Sequence, residues 1–107
     1  MIKIIDKTNF RKKVLNGSGL QIARFCAEWS GPCQMMGPIY QEMFDHYSSR
    51  ASFYKIDVDE APFLKNQLGV IELPTLFFYK NGKVIEIVTG MTTREFLIEK
   101  IEKALNH

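Results

Sequence analysis

Between Leu20 and Trp29 runs a largely apolar stretch in which Arg24 and Glu28 are the charged interruptions. A run of this length and composition, followed after Ser30 by Gly31-Pro32, reads as a central strand of a sheet. Such a strand needs cover on both faces, so the rest of the chain must supply flanking elements. Lys3 to Asp6 reads as a short edge strand. Thr8 or Asn9 can cap a helix to about Leu15, ended by Asn16-Gly17-Ser18-Gly19. After the central run, a proline in the first turn opens a long helix from about Pro32 to Tyr47. Pro38 falls in its interior, where a kink is expected.

Ala51 to Val58 alternates imperfectly and predicts a third strand, followed by a short helix around Ala61 to Gln67 and a loop to Leu73. Thr75 to Tyr79 reads as a buried strand, and Lys80-Asn81-Gly82-Lys83 as a hairpin turn into Val84 to Val88. Thr92 or Thr93 is placed to cap the last helix. There Phe96, Leu97, Ile101, Ala104 and Leu105 form one apolar stripe, with Glu95, Glu99, Lys100 and Lys103 outward. The order β-α-β-α-β-α-β-β-α predicts an α/β domain over residues 1–107, with a central mixed five-stranded sheet flanked by four helices.

Composition excludes several function classes. At 107 residues the chain fits one domain, large enough for a core without metal or structural disulfides. Fourteen basic against twelve acidic side chains leave a net charge of +2, too balanced to indicate a nucleic-acid partner. The basic triplet Arg11 to Lys13 reads as a solvated helix face. No apolar stretch approaches the ~20 residues needed to cross a bilayer, so no membrane partner is expected. Met1 to Asp6 lacks the apolar run and small-residue cleavage site of a secretion signal, which makes the cytoplasm the expected location. A monomer is the default. Two cysteines do not make a disulfide scaffold, and the scattered Cys, His and Met residues lack the ligand spacing of zinc or haem. No cofactor and no metal are expected.

Ala27-Glu28-Trp29-Ser30-Gly31-Pro32-Cys33, Pro38 in the following helix, Lys55-Ile56-Asp57-Val58-Asp59, Leu73-Pro74-Thr75, Lys80-Asn81-Gly82 and Gly90 occur in this order and spacing. In these features the chain resembles the thioredoxins over essentially its full length. The resemblance implies the thioredoxin fold and exchange between protein disulfides and thiols, with a thioredoxin reductase as electron donor. In that family a first cysteine at the start of the second helix attacks the substrate disulfide. Unsatisfied N–H groups and the helix dipole favour its thiolate, and a second cysteine then resolves the mixed disulfide.

Ser30 stands at the attacking position and Cys33 at the resolving one. A serine hydroxyl cannot take half of a disulfide, and without an adjacent base it is hardly ionised near neutrality. His46 lies sixteen residues farther on, roughly 24 Å along a helix, and His107 is at the terminus. Ser30 therefore reads as a helix N-cap. Dithiol turnover is expected to be poor or absent, with Cys33 left able to form mixed disulfides.

Two more positions depart from the family pattern. Arg24 stands where the resemblance implies a buried aspartate that moves the resolving cysteine's proton, and Lys55 matches that aspartate's usual neighbour. Arg24 either snorkels outward or pairs structurally, or it tunes the Cys33 thiol electrostatically. Cys26 stands where tryptophan is usual. It is either a core residue or a second thiol, pairing with Cys33 or sensing redox state. Pro74 matches the family's cis proline, and with Trp29, Gly31, Pro32, Val70, Leu73, Gly90 and Met91 it implies a shallow groove for a peptide backbone. Asp59 is expected to cap the helix near Ala61. The expected partners are protein or peptide disulfides and thiols. The alternative function is a diverged, non-catalytic peptide- or protein-binding or redox-regulatory protein.

Overall fold

Seven consecutive residues, Leu20–Cys26, form the strand β2, and all seven are buried. The computed structural model describes residues 2–107; Met1, the first residue of the strand-like opening, lies outside them. With β1 (Lys3–Ile5), β3 (Ala51–Asp57), β4 (Thr75–Lys80) and β5 (Lys83–Thr89), β2 makes a five-stranded sheet in the order β1-β3-β2-β4-β5. β1, β3 and β2 run parallel, while β4 is antiparallel to β2 and to β5. The mixed sheet is the one expected, with β2 in the middle.

Period two along β2 decides what each face receives. Ala23 and Phe25 join a core cluster with Phe10, Val14, Leu64 and Phe77. Leu20 and Ile22 join the opposite cluster with Met36, Tyr40, Leu97 and Ile101. The second face therefore continues into Arg24 and Cys26. Their neighbours in register on β3 are Lys55 and Asp57.

Four helices cover the sheet: a single π-helical turn (Arg11–Leu15), α1 (Gly31–Tyr47), α2 (Pro62–Leu68) and α3 (Arg94–Leu105). α1 carries Pro38 inside it and buries Cys33, Met36, Tyr40, Met43 and Tyr47 at helical spacing. The Tyr40 hydroxyl lies within hydrogen-bond distance of the carbonyls of Tyr54 (2.7 Å) and Ile22 (3.1 Å), which fixes α1 over β2 and β3. Gly69, at φ 70°, ends α2 in the left-handed region. Asn81 (φ 54°) and Gly82 (φ 78°) form the turn of the β4–β5 hairpin. No helix among the described residues is long and apolar enough to cross a membrane.

Four local expectations are corrected. Neither Thr8 nor Asn9 caps the first helical turn. The Asp6 carboxylate accepts from the N–H groups of Thr8 (2.8 Å) and Asn9 (3.2 Å), and Asn9 Oδ1 accepts from Asp6 N–H (2.9 Å). These side chains organise the loop itself. Phe10 then precedes a turn that closes with an Asn16 N–H to Arg11 C=O bond of 2.9 Å.

β2 stops at Cys26, short of Trp29, because a Ser30 N–H to Ala27 C=O bond (3.2 Å) lifts the chain out of the sheet. Asp59 does not cap α2; Ala61 stands at that position with no capping side chain, and Pro62 starts the helix. In α3, Thr93 caps as expected, accepting from Phe96 N–H at 3.1 Å. Leu97, Ile101 and Ala104 are buried, but Phe96 turns outward and lies under the Lys100 ammonium, 5.2 Å from its ring centre.

Candidate functional site

The turn that ends β2 delivers the chain directly to the start of α1. Ser30 has extended backbone angles, and its Oγ accepts a hydrogen bond from Cys33 N–H at 3.4 Å. One orphan N–H of the first helical turn is thereby satisfied, as serine does well at this position. Ser30 is buried and Cys33 is 2% exposed, whereas Gly31 and Pro32 between them face solvent. His46 lies in the last turn of α1, packed edge-on against Tyr47 at 4.8 Å, far from the Ser30 hydroxyl. No general base adjoins that hydroxyl in the hydrogen bonds of the described residues; its one partner is the Cys33 amide.

Arg24 does not snorkel outward. It is 8% exposed, and its guanidinium lies 5.0 Å from the centre of the Tyr40 ring. Nη1 donates to Cys26 Sγ at 3.0 Å and to the Cys33 carbonyl at 3.2 Å. Nε is buried without a hydrogen-bond partner, and none of the ion pairs among the described residues includes Arg24. A buried guanidinium normally has a carboxylate beside it. Here it has an aromatic face, a carbonyl and a sulfur.

Lys55, in register with Arg24 on β3, is exposed. Arg24, Cys26, Cys33 and Lys55 line one cavity of about 280 Å³, together with Glu28, Gln34, Gly37 and Asp57. The Cys26 and Cys33 thiols are both free. Burial first, and then a hydrogen bond with the Cys33 side chain, push the Cys26 thiol from its ordinary 9.0 up to about 12, against the opposing charge of Arg24. Cys26 is thus a protonated thiol at neutral pH. Burial likewise raises Tyr40 and keeps it a phenol.

The remaining expected residues fall on the rim or in the core. The Leu73–Pro74 bond is cis, and Gly90 N–H donates to the Pro74 carbonyl at 2.7 Å, joining the loops before β4 and after β5. Trp29 is 70% exposed, and its Nε1 donates to Asp59 Oδ2 at 2.8 Å. That bond gives Asp59 its role: it holds the indole. Met91 is exposed and Leu73 half-buried, but Val70 is a core residue packed in the cluster with Leu64. The exposed apolar side chain of that loop is Ile71, next to Val70. Gln34, which the sequence did not single out, joins the site by donating from Nε2 to the Glu28 carbonyl.

Comparison with known proteins gives one consistent answer. The profile of the family described as Thioredoxin matches residues 1–103. A thioredoxin of Staphylococcus saprophyticus is 36% identical over 105 residues, covering 98% of this chain and 98% of its own. A Staphylococcus aureus thioredoxin matches with the same identity and coverage. A thioredoxin of Chlorobaculum thiosulfatiphilum is 33% identical over 95 residues, which is 89% of this chain and 88% of that relative.

Two outcomes follow from the electrostatics. Replacing the carboxylate-free guanidinium with an apolar side chain of similar length, Arg24→Met, should raise the unfolding free energy by about 1 kcal/mol or more. Urea denaturation checks this; a loss of stability would mean that the Tyr40 and Cys33 contacts outweigh desolvation. For Cys26, the folded state holds the thiol proton more tightly than the unfolded chain. Its contribution is complete below the ordinary value of 9.0 and is lost as pH rises through about 12. Across that window, Cys26→Ala should lose stability less steeply with pH than the unsubstituted chain. Parallel curves would contradict the assignment.

Proposed function

The chain belongs to the thioredoxin family, and on that footing we propose that it keeps the family's oxidoreductase scaffold while lacking its dithiol turnover. Ser30 occupies the attacking position as a helix cap, and Cys33 is the motif's remaining thiol, able to form mixed disulfides. The observation that carries this reading is the Ser30 Oγ contact with Cys33 N–H at the first turn of α1. The hydroxyl serves a backbone group there and has no base to ionise it. The partners are protein or peptide disulfides and thiols. They meet a rim formed by Trp29, Gly31, Pro32, Leu73, Pro74, Gly90 and Met91, and the setting is a monomer in the cytoplasm. Arg24 stands in place of the proton-moving carboxylate that the family resemblance implies, with Lys55 as that carboxylate's usual neighbour, so position 24 offers no group to accept a proton from Cys33.

Exposed Trp29 and Ile71 favour a second reading. Apolar side chains left in solvent beside the motif suit a peptide-binding protein whose contacts need no covalent step.

One assay separates the two. Protein-disulfide reduction, driven by a thioredoxin reductase, should run at background with this chain and rise by more than about 100-fold in Ser30→Cys. Turnover by the unsubstituted chain would overturn the proposal. Background rates in both would leave the scaffold without reductase competence and favour the binding reading.

A further inference from the structure

We infer that Cys26 and Cys33 form a second dithiol pair, closing an intrachain disulfide in which Cys26 takes the part that Ser30 cannot. The inference rests on the reading above that Cys33 forms mixed disulfides. It adds the group that resolves them.

Three observations converge on the pair. Cys26 at the end of β2 and Cys33 in the first turn of α1 are both buried and line the same cavity of about 280 Å³. Arg24 ties the two positions together through a single nitrogen, with Nη1 on Cys26 Sγ at 3.0 Å and on the Cys33 carbonyl at 3.2 Å. The Cys33 side chain is also among the groups that raise the Cys26 thiol, so the two act on one another across that cavity. Closure brings the two sulfurs to the disulfide bond length of about 2 Å. The guanidinium has no carboxylate partner among the described ion pairs and is free to offset a thiolate formed on the Cys26 sulfur it touches.

Burial also selects the oxidant. With Cys26 and Cys33 only 3% and 2% exposed, a protein partner reaches them only where an extended peptide segment enters from the rim, whereas the cavity admits the sulfur end of a small disulfide directly. The class of co-substrate is therefore a low-molecular-weight disulfide, R–S–S–R. The Cys33 thiolate attacks one sulfur, forming Cys33–S–S–R and expelling R–S⁻, which takes up the proton Cys33 gave to solvent. Cys26 then loses its proton and attacks the Cys33 sulfur, forming the Cys26–Cys33 bond and expelling a second R–S⁻, which is protonated in turn. Two thiols are oxidised to one disulfide, and one disulfide is reduced to two thiols. Burial keeps Cys26 protonated, so the second step is the slower one near neutral pH and accelerates as pH rises.

The test is incubation of the full chain with glutathione disulfide, acid quenching, and non-reducing peptide mapping by mass spectrometry, alongside Cys26→Ala. The expected result is a linked Cys26–Cys33 peptide in the unsubstituted chain, preceded by a transient glutathione adduct on Cys33. In Cys26→Ala that adduct should live at least about 10-fold longer, because nothing in the chain resolves it. A Cys33 adduct that persists equally in both chains would overturn the inference and leave the Cys33 reading standing. No modification of Cys33 in either chain would overturn both. Should the variant fail to fold, the linked peptide in the unsubstituted chain decides alone, its absence counting against the pair.

Discussion

Arg24 reaches the site because β2 has no exposed face. Seven buried residues alternate between two cores, and the side that begins with Leu20 and Ile22 must continue through positions 24 and 26. An arginine there cannot turn to water without leaving the sheet. It lies instead along the face covered by α1, where the Tyr40 ring and the Cys33 carbonyl receive it. Burying a guanidinium without a carboxylate is costly, and proteins retain such groups where they serve a site. The sheet thus sets a positive charge beside both cysteines.

The same backbone path fixes the role of Ser30. The turn from Ala27 to Ser30 ends the strand and leaves the next residue at the N-terminus of α1, where orphan amides point outward. A cysteine thiolate would gain from those amides and from the helix dipole. Serine gains only a hydrogen bond to Cys33 N–H, which stabilises the helix and performs no chemistry by itself. The Ser30 side chain caps the helix, and the two thiols lie inward, on the buried face that carries Cys26 and Cys33.

Much of this was legible in the sequence because the signals were local. The apolar run with its two charged interruptions placed the central strand. Asn81-Gly82 placed the hairpin, and the Trp29 to Cys33 segment placed the helix start. What the sequence misread depended on contacts between distant residues. Thr8 and Asn9 looked like caps until Asp6 engaged their amides. Asp59 was drawn to Trp29, thirty residues away. Val70 and Ile71 are adjacent in an irregular loop, where no periodicity says which of two apolar neighbours turns inward. The two readings of Arg24 could not be separated from position alone, since its partners lie on its own strand at Cys26 and across on α1.

The central claim is that Ser30 is a structural cap and that the site's chemistry belongs to sulfur. Ser30→Ala tests it most directly when urea unfolding and Cys33 adduct formation with glutathione disulfide are followed on the same variant. The unfolding free energy should fall by about 1 kcal/mol through loss of the cap, with the rate of adduct formation unchanged. Unaltered stability together with loss of Cys33 reactivity would contradict the account and make the hydroxyl a chemical participant.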